Sequence, residues 1–413
     1  MGEIEVALLT GGRDAPYAYG MTMALSAQGI QLDVIGGDST DFPAFHRSPG
    51  IRYLNLRGDQ SRDAGLMAKI VRVLRYYARL IRYAAGAKPK IFHILWNNKL
   101  YFLDRTLLML YYKILGKKLA FTAHNINAGV RDSTDSVVNR LTLKIQYRLA
   151  DHIFVHTEKM KSELIRDFDV RESAITVIPF GINNSVPNTR LTAIEAKQRL
   201  GIGRNEKTVL FFGVITPYKG LEYLTEAFQS LLAQDANFRL IVAGKPDKCD
   251  AYWGPIREQL VKVQNGRVLL RDEFIPDEDT EVYFKAADVL VLPYKHIYQS
   301  GVLFLGHSFG LPVLAADVGS LKDEIVEGKN GLVFKPEDPA DLARAIEEYF
   351  ASDLYAELDS RRQKIRDYAA ERHSWEVVGA RTLNVYADLL RLPSAAKSNQ
   401  ELSSTSIDVK ASS

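Results

Sequence analysis

Short apolar runs alternate with helix-periodic segments along most of this chain, and the whole alternation occurs twice. In the first half the runs 6–9, 32–35, 91–95, 119–122 and 153–156 are separated by helical patterns near 17–28, 64–85, 100–115 and 134–149. In the second half, runs 209–212, 240–243, 268–270, 289–292 and 313–315 alternate with helical patterns near 219–233, 252–264, 277–286, 301–309 and 338–350. Parallel strands need a crossover, and a helix supplies it while covering the sheet. The expected fold class is α/β, with two Rossmann-like parallel-sheet domains facing one cleft. Strand signals lapse near 181–205, where Gly181, Asn183, Asn184, Pro187 and Asn188 cluster. The expected layout is therefore a first domain over 1–185 and a second over 205–374, with a helix-length segment at 375–392. In 393–413, Ser, Ala, Lys and Asn dominate, and a disordered tail is expected.

Two of the strand-to-helix junctions carry chemistry. Phe211-Phe212-Gly213-Val214-Ile215-Thr216-Pro217-Tyr218-Lys219-Gly220 runs from a strand through a loop with one lysine into a helical segment. That order places a cation and free backbone N–H groups at a helix start, where phosphate binds readily. The junction after the first run holds Gly11-Gly12.

Net charge is +3, but it is unevenly spread. Between Ala64 and Leu103 there is no acidic residue, while Lys69, Arg72, Arg75, Arg79, Arg82, Lys88, Lys90 and Lys99 are basic. Within 66–84, Leu66, Ile70, Leu74, Tyr77, Ile81 and Ala84 recur at spacings of three and four, so the segment reads as an amphipathic helix. Its basic face suits solvent, anionic lipid or an anionic acceptor. No aromatic-interleaved basic motif supports nucleic acid as a partner.

Other signals exclude whole classes. No stretch approaches the roughly 18 apolar residues of a membrane span. The start, Met1-Gly2-Glu3-Ile4-Glu5, lacks a basic region, and Cys249 is the single cysteine, so a cytoplasmic protein is expected. Gly-x-Gly-x-x-Gly, the P-loop signature, His-Glu-x-x-His and paired Cys motifs are all missing. Two Asp-x-Asp pairs occur, at Asp277 with Asp279 and at Asp167 with Asp169. The first reads as the acidic opening of a helix and the second as a helix-end loop.

Together these pieces resemble the GT-B-fold glycosyltransferases of the family-4 type, over about residues 4–390. The resemblance rests on Phe212-Gly213 through Lys219-Gly220 and on Leu290-Val291-Leu292-Pro293-Tyr294 through Gly310-Leu311-Pro312-Val313. Asp317-Val318-Gly319, Gly328-Lys329-Asn330-Gly331-Leu332-Val333 and the closing Ser374-Trp375-Glu376 helix fit as well. It implies a metal-independent hexosyltransferase that moves a sugar from a UDP- or GDP-linked donor to a hydroxyl of a glycan or of a polyprenyl- or other lipid-linked acceptor. The C-terminal domain would hold the nucleotide and the N-terminal domain the acceptor, with the last helix crossing back. The family's diphosphate-binding lysine falls on Lys219, its donor-contacting histidine on His124, and its N-domain glycine loop on Gly11 and Gly12. Gly213, Tyr294, Ser300, Gly301 and Val302 complete the implied donor site.

The chain also departs from the family. Two glutamates separated by seven residues would fall at Ile297 and Leu305, and the family's arginine after Phe-Gly is Val214. In their place stands Tyr298-Gln299-Ser300-Gly301-Val302-Leu303, a helix opening whose N–H groups still suit phosphate. Similar patterns occur in some bacterial exopolysaccharide and glycolipid transferases. The implied role is cell-surface polysaccharide or glycolipid synthesis, peripheral to the inner face of the plasma membrane. The alternatives are a non-catalytic nucleotide-sugar-binding subunit, or a GT-B epimerase or phosphorylase.

Overall fold

The computed structural model describes residues 4–60, 64–98, 100–131, 134–182, 186–247, 249–263 and 266–392. The expected tail at 393–413 lies outside them. The chain divides into two compact units: Met1–Ile126, Ser136–Gly181 and Trp375–Ser413 form unit 1, while Asn127–Asp135 and Ile182–Ser374 form unit 2.

Unit 1 holds β1 (Glu5–Leu9), β2 (Gln31–Gly36), β3 (Ile51–Asn55), β4 (Ile91–Ile94), β5 (Lys118–Thr122), β6 (His152–Val155) and β7 (Ile175–Val177), in the order β3-β2-β1-β4-β5-β6-β7. Every pairing is parallel. Unit 2 holds β8 (Lys207–Phe212), β9 (Phe238–Ala243), β10 (Val268–Arg271), β11 (Val289–Leu292), β12 (Val313–Ala316) and β13 (Gly331–Phe334), in the order β10-β9-β8-β11-β12-β13. Its pairings are parallel too. Helices cover both faces, so strand residues such as Val6, Ala7 and Leu8, or all four of β11, are buried on either side. That is why the sequence shows unbroken apolar runs instead of alternation. Strand order reverses between β1 and β4 in unit 1 and between β8 and β11 in unit 2. Ligands of open parallel sheets gather at the carboxyl ends of the strands beside such reversals.

Three elements differ from expectation. The helix expected near 100–115 breaks at Thr106 (φ −124°, ψ −86°) into Tyr101–Arg105 and Leu107–Ile114. The one expected from 219 is instead a 3₁₀ turn, Pro217–Lys219, then Gly220 in the left-handed region (φ 65°), then the helix Leu221–Gln234. The helix Leu66–Gly86 turns inward only Tyr76, Tyr77, Leu80 and Ala84; Leu66, Ile70, Leu74 and Ile81 of the expected apolar stripe face outward.

The closing helix, Trp375–Leu389, packs on Ala15–Ala27 within unit 1, with Val378 and Tyr386 fully buried. Gly20 and Gly181 make room for the Trp375 indole: a Cβ on Gly20 would lie 2.1 Å from Cε2, and one on Gly181 2.3 Å from it. The Tyr386 hydroxyl is 2.5 Å from Nδ1 of His93, whose Nε2 is 2.7 Å from Thr122 Oγ1.

Candidate active site

In unit 2, β8 ends at Phe212 and the chain turns at Gly213 (φ 97°), a conformation that glycine adopts without a steric penalty. A Cβ there would lie 3.0 Å from Lys219 Nζ and 3.3 Å from Val302 Cγ2, so these three residues meet at one point. Lys219 is buried, with its ammonium 5.6 Å from the Tyr294 ring centroid. Tyr294 follows β11 and is fully buried; its hydroxyl accepts from Ser300 Oγ at 3.4 Å. Ser300 in turn caps the helix Gly301–Ser308, accepting from the Leu303 N–H at 3.4 Å. The switch-point loops touch at Gly220, where a Cβ would lie 1.9 Å from the Pro293 carbonyl oxygen. Gly213, Lys219, Tyr294, Ser300, Gly301 and Val302 therefore form one cluster, as the resemblance implies. It offers an ammonium and the first N–H groups of a helix. Thr216 Oγ1 and Gln299 Oε1, buried in the same loops, have no hydrogen-bond partner. A hydroxyl so placed can donate to a phosphate oxygen. Ile297 and Leu305, at the two glutamate positions, are both buried apolar side chains.

In unit 1, Gly11 and Gly12 (φ 62° and 63°) follow β1. A Cβ on Gly11 would lie 2.7 Å from both Cβ and the carbonyl oxygen of Trp96, and one on Gly12 would lie 2.9 Å from Arg57 Nη1. The loop ends at Asp14, whose Oδ1 accepts from the Tyr17 N–H at 3.2 Å and starts the next helix. His124 lies just past β5. Its ring stacks on Trp96 at 3.9 Å and 4°, and the Tyr17 ring meets it edge-on at 4.6 Å.

The sequence alone assigns His156 no role. The structure instead places its Nε2 3.1 Å from His124 Nδ1, and its Nδ1 3.3 Å from the Ile178 carbonyl. A carbonyl only accepts, so His156 Nδ1 carries the proton and its Nε2 carries a lone pair. His124 Nδ1–H donates to that lone pair, which leaves His124 Nε2 unprotonated. Burial pushes His124 well below its ordinary pKa, and the neighbouring His156 and His93 lower it further. The Leu95 carbonyl acts the other way and raises the pKa of His124, while His124 Nε2 has no hydrogen-bond partner. Burial pushes His156 down to about 4, opposed by the Ile178 and Pro179 carbonyls. Both rings are therefore neutral near pH 7, and His124 presents an acceptor. The sequence signal was one of register: Thr122 pairs with Phe154, and each histidine lies two residues beyond its partner.

Arg57 is another residue that sequence reasoning missed. It is buried, donates to Asn98 Oδ1 at 3.4 Å and lies 4.8 Å from the Tyr76 ring centroid. Tyr76 also donates to Asn98 Oδ1, at 2.7 Å, and Asn98 Nδ2 donates to Asp104 Oδ1 at 3.0 Å. This cation beside Gly12 follows the edge strand β3, which has no apolar run to announce it. Among the described residues, no three His, Cys, Asp or Glu side chains gather where they could hold a metal ion. Asp277 to Asp279 opens the helix Asp277–Ala286, and Asp169 caps a helix end with φ 57°.

The buried imidazoles set an acid limit on stability. His93 is held down to about 3 and His156 to about 4, mainly by burial. In the unfolded chain both take up protons near 6.5. The unfolded state thus binds more protons between pH 6.5 and about 4, and stability falls as the pH drops through that window. At pH 5 each contributes a loss of about 2 kcal/mol relative to neutral pH. Thermal unfolding of unit 1, followed by fluorescence of Trp96 and Trp375, is expected to shift down sharply between pH 7.5 and 5. An unchanged midpoint would contradict the depressed histidines.

Residues 206–352 match the family described as glycosyl transferases group 1, and residues 15–186 match glycosyltransferase family 4. The D-inositol 3-phosphate glycosyltransferase of Corynebacterium diphtheriae is 27% identical over 292 residues, which is 66% of this chain and 66% of that one. The chain thus spans about two thirds of the length of that relative. Among solved structures, sucrose-phosphate synthase from Thermosynechococcus elongatus has a TM-score of 0.72 at 20% identity, covering 94% of this chain and all of that one. Anabaena Alr3699/HepE in complex with UDP-glucose has a TM-score of 0.70 at 16% identity, covering 94% of this chain and all of that one. At such identities the likeness establishes the fold, which is GT-B.

Proposed function

The chain belongs to the GT-B glycosyltransferases of the family-4 type, and on that premise we propose that it transfers a sugar from a nucleoside-diphosphate donor to a hydroxyl acceptor. The observation that carries this reading is the meeting of Gly213, Lys219 and Val302 beside the Ser300-capped helix at the β8/β11 reversal. As the bond from the anomeric carbon to the diphosphate breaks, negative charge collects on the phosphate oxygens. Lys219 and the N–H groups of Gly301 and Val302 stabilise that charge in a site largely shielded from water. No metal is needed in this scheme, because an ammonium and a helix terminus provide the electrostatics. His124 Nε2 accepts from a hydroxyl of the donor sugar and orients it. The UDP-glucose bound by the Anabaena protein favours a uridine donor over a guanosine one. The acceptor is a glycan or lipid-linked hydroxyl, used in cell-surface polysaccharide or glycolipid synthesis at the cytosolic membrane face.

A binding subunit without catalysis is the second reading, motivated by the apolar Ile297 and Leu305. Thermal unfolding with UDP, GDP, ADP or no nucleotide tests the donor site directly. At a hundredfold excess over its Kd, a nucleotide adds about 2.7 kcal/mol, or roughly 5 to 10 °C for a domain of this size. The expected result is a shift with UDP that is absent with ADP. A flat response to all three would remove the donor-site assignment. A shift without any release of nucleotide from the sugar nucleotide would favour the binding subunit.

A further inference from the structure

Unit 2 carries a basic cavity at the end of its sheet away from the Lys219 cluster. The cavity has a volume of about 430 Å³, and its lining includes Arg190, Lys285, Phe309, Asp359, Arg362 and Arg366. Small-molecule sites run from roughly 300 to 1,000 Å³. Arg362 fixes its place in the fold: Nη2 donates at 2.8 Å to the carbonyl of Ala287, just ahead of β11. Tyr294 of the donor cluster lies past the opposite end of that strand.

Four of the lining residues are basic and one is acidic. Lys285 is committed within the protein, with Nζ 2.5 Å from Glu281 Oε1 and donating to the Thr189 carbonyl at 2.6 Å. The three arginines differ. Arg190 is exposed, and Arg366 donates from Nε and Nη2 to the neutral Gln363 side chain, at 3.2 and 2.6 Å. Arg362 is the decisive residue, because its Nε and Nη1 are buried without a hydrogen-bond partner among the described residues. The internal acid best placed to serve them, Asp288, already accepts from Lys197 Nζ at 2.9 Å and from the Thr208 N–H at 2.8 Å. Asp359, exposed one turn earlier on the same helix, does not reach them. Burial pulls Arg362 below the ordinary arginine pKa, Asp288 opposes this most, and Arg366 lowers it further. A buried guanidinium with unmet donors is costly, and an anion beside it removes that cost.

We propose that this cavity binds a phosphate-bearing small molecule, with Arg362 turning its two unmet donors onto the phosphate and Arg366 and Arg190 completing its charge. A guanidinium presents paired N–H groups that match phosphate oxygens, and a phosphate has an oxygen for each of the three arginines, which a carboxylate does not. Leu191, Ala193 and Phe309 add an apolar wall on which an organic part of the ligand rests. The chemistry that the site recognises is thus the phosphate dianion, carried by an ester or free in solution. The proposal goes beyond the transfer reaction and does not depend on it, since none of these residues belongs to the donor cluster.

The test is isothermal titration of the full chain with inorganic phosphate and with glucose 6-phosphate, at matched ionic strength, with and without saturating UDP. Wild type is expected to bind one equivalent in the presence of UDP. Tighter binding of glucose 6-phosphate assigns the site to a phosphate ester, and equal binding assigns it to free phosphate. Arg366→Gln, at a half-buried position, should weaken binding about tenfold, and Arg362→Gln about thirtyfold or more. A fluorescence melt confirms that each variant is folded. Because the variants themselves locate the site, the result is readable whether or not UDP binds. Heat no greater than that of sodium chloride would overturn the proposal, as would displacement of the phosphate by UDP. So would undiminished binding in either variant.

Discussion

Replacing Lys219 by methionine is expected to slow nucleotide release from the sugar nucleotide by two to three orders of magnitude while leaving the protein folded. The ammonium is buried and lies beside Gly213, where few waters can substitute for it. Removing one well-placed electrostatic donor from a site of this kind costs about 10² to 10³ in turnover. Methionine has nearly the volume of lysine and keeps contact with the Tyr294 ring, so packing changes little. Arginine is not expected to rescue, because Lys219 is buried beside Gly213, Val302 and the Tyr294 ring, and a planar guanidinium is bulkier than the ammonium it would replace. The check is release of nucleotide from the donor identified by thermal shift, alongside the melting temperature. A methionine variant within threefold of wild type would mean that Lys219 does not face the diphosphate.

Lys219 could be found in the sequence because its loop is local: glycine, lysine and the following helix lie within ten residues and report strand, turn and helix in order. The thirteen strands among the described residues divide on the same principle. Those buried on both faces, such as β1, β8 and β11, appear as apolar runs. β3 does not, since none of its residues is fully buried, Arg52 and Asn55 are exposed, and Arg52 pairs with Asp33. β7 has three residues, too few for any pattern. The helix Leu358–Arg372 escaped notice because charged side chains outnumber its apolar ones. The apolar stripe of Leu66–Gly86 was legible as a stripe. Whether it points to a core or outward depends on packing, which periodicity does not encode. The same limit hid His156. Its sequence context resembles that of any strand-end histidine, and only the β5–β6 register sets it beside His124.

That pairing leads to the second large effect, which separates contact from positioning. His124→Ala is expected to lower nucleotide release about a hundredfold, since it removes the acceptor and the ring stacked on Trp96. His156 is read as a positioning residue: it touches no reacting atom and acts by holding the proton of His124 on Nδ1. In His156→Gln, the side-chain oxygen can accept from His124 Nδ1–H while its amide donates to the Ile178 carbonyl, so activity should stay within about fivefold of wild type. In His156→Leu, His124 Nδ1–H loses its acceptor, the two tautomers become comparable, and the Nε2 lone pair is no longer secured. A drop of about tenfold or more is expected there. A structural role alone would make both variants lose activity in proportion to lost thermal stability, with no advantage to glutamine. Rescue by glutamine at unchanged stability is the outcome the tautomer argument requires, and equal losses in the two variants would refute it.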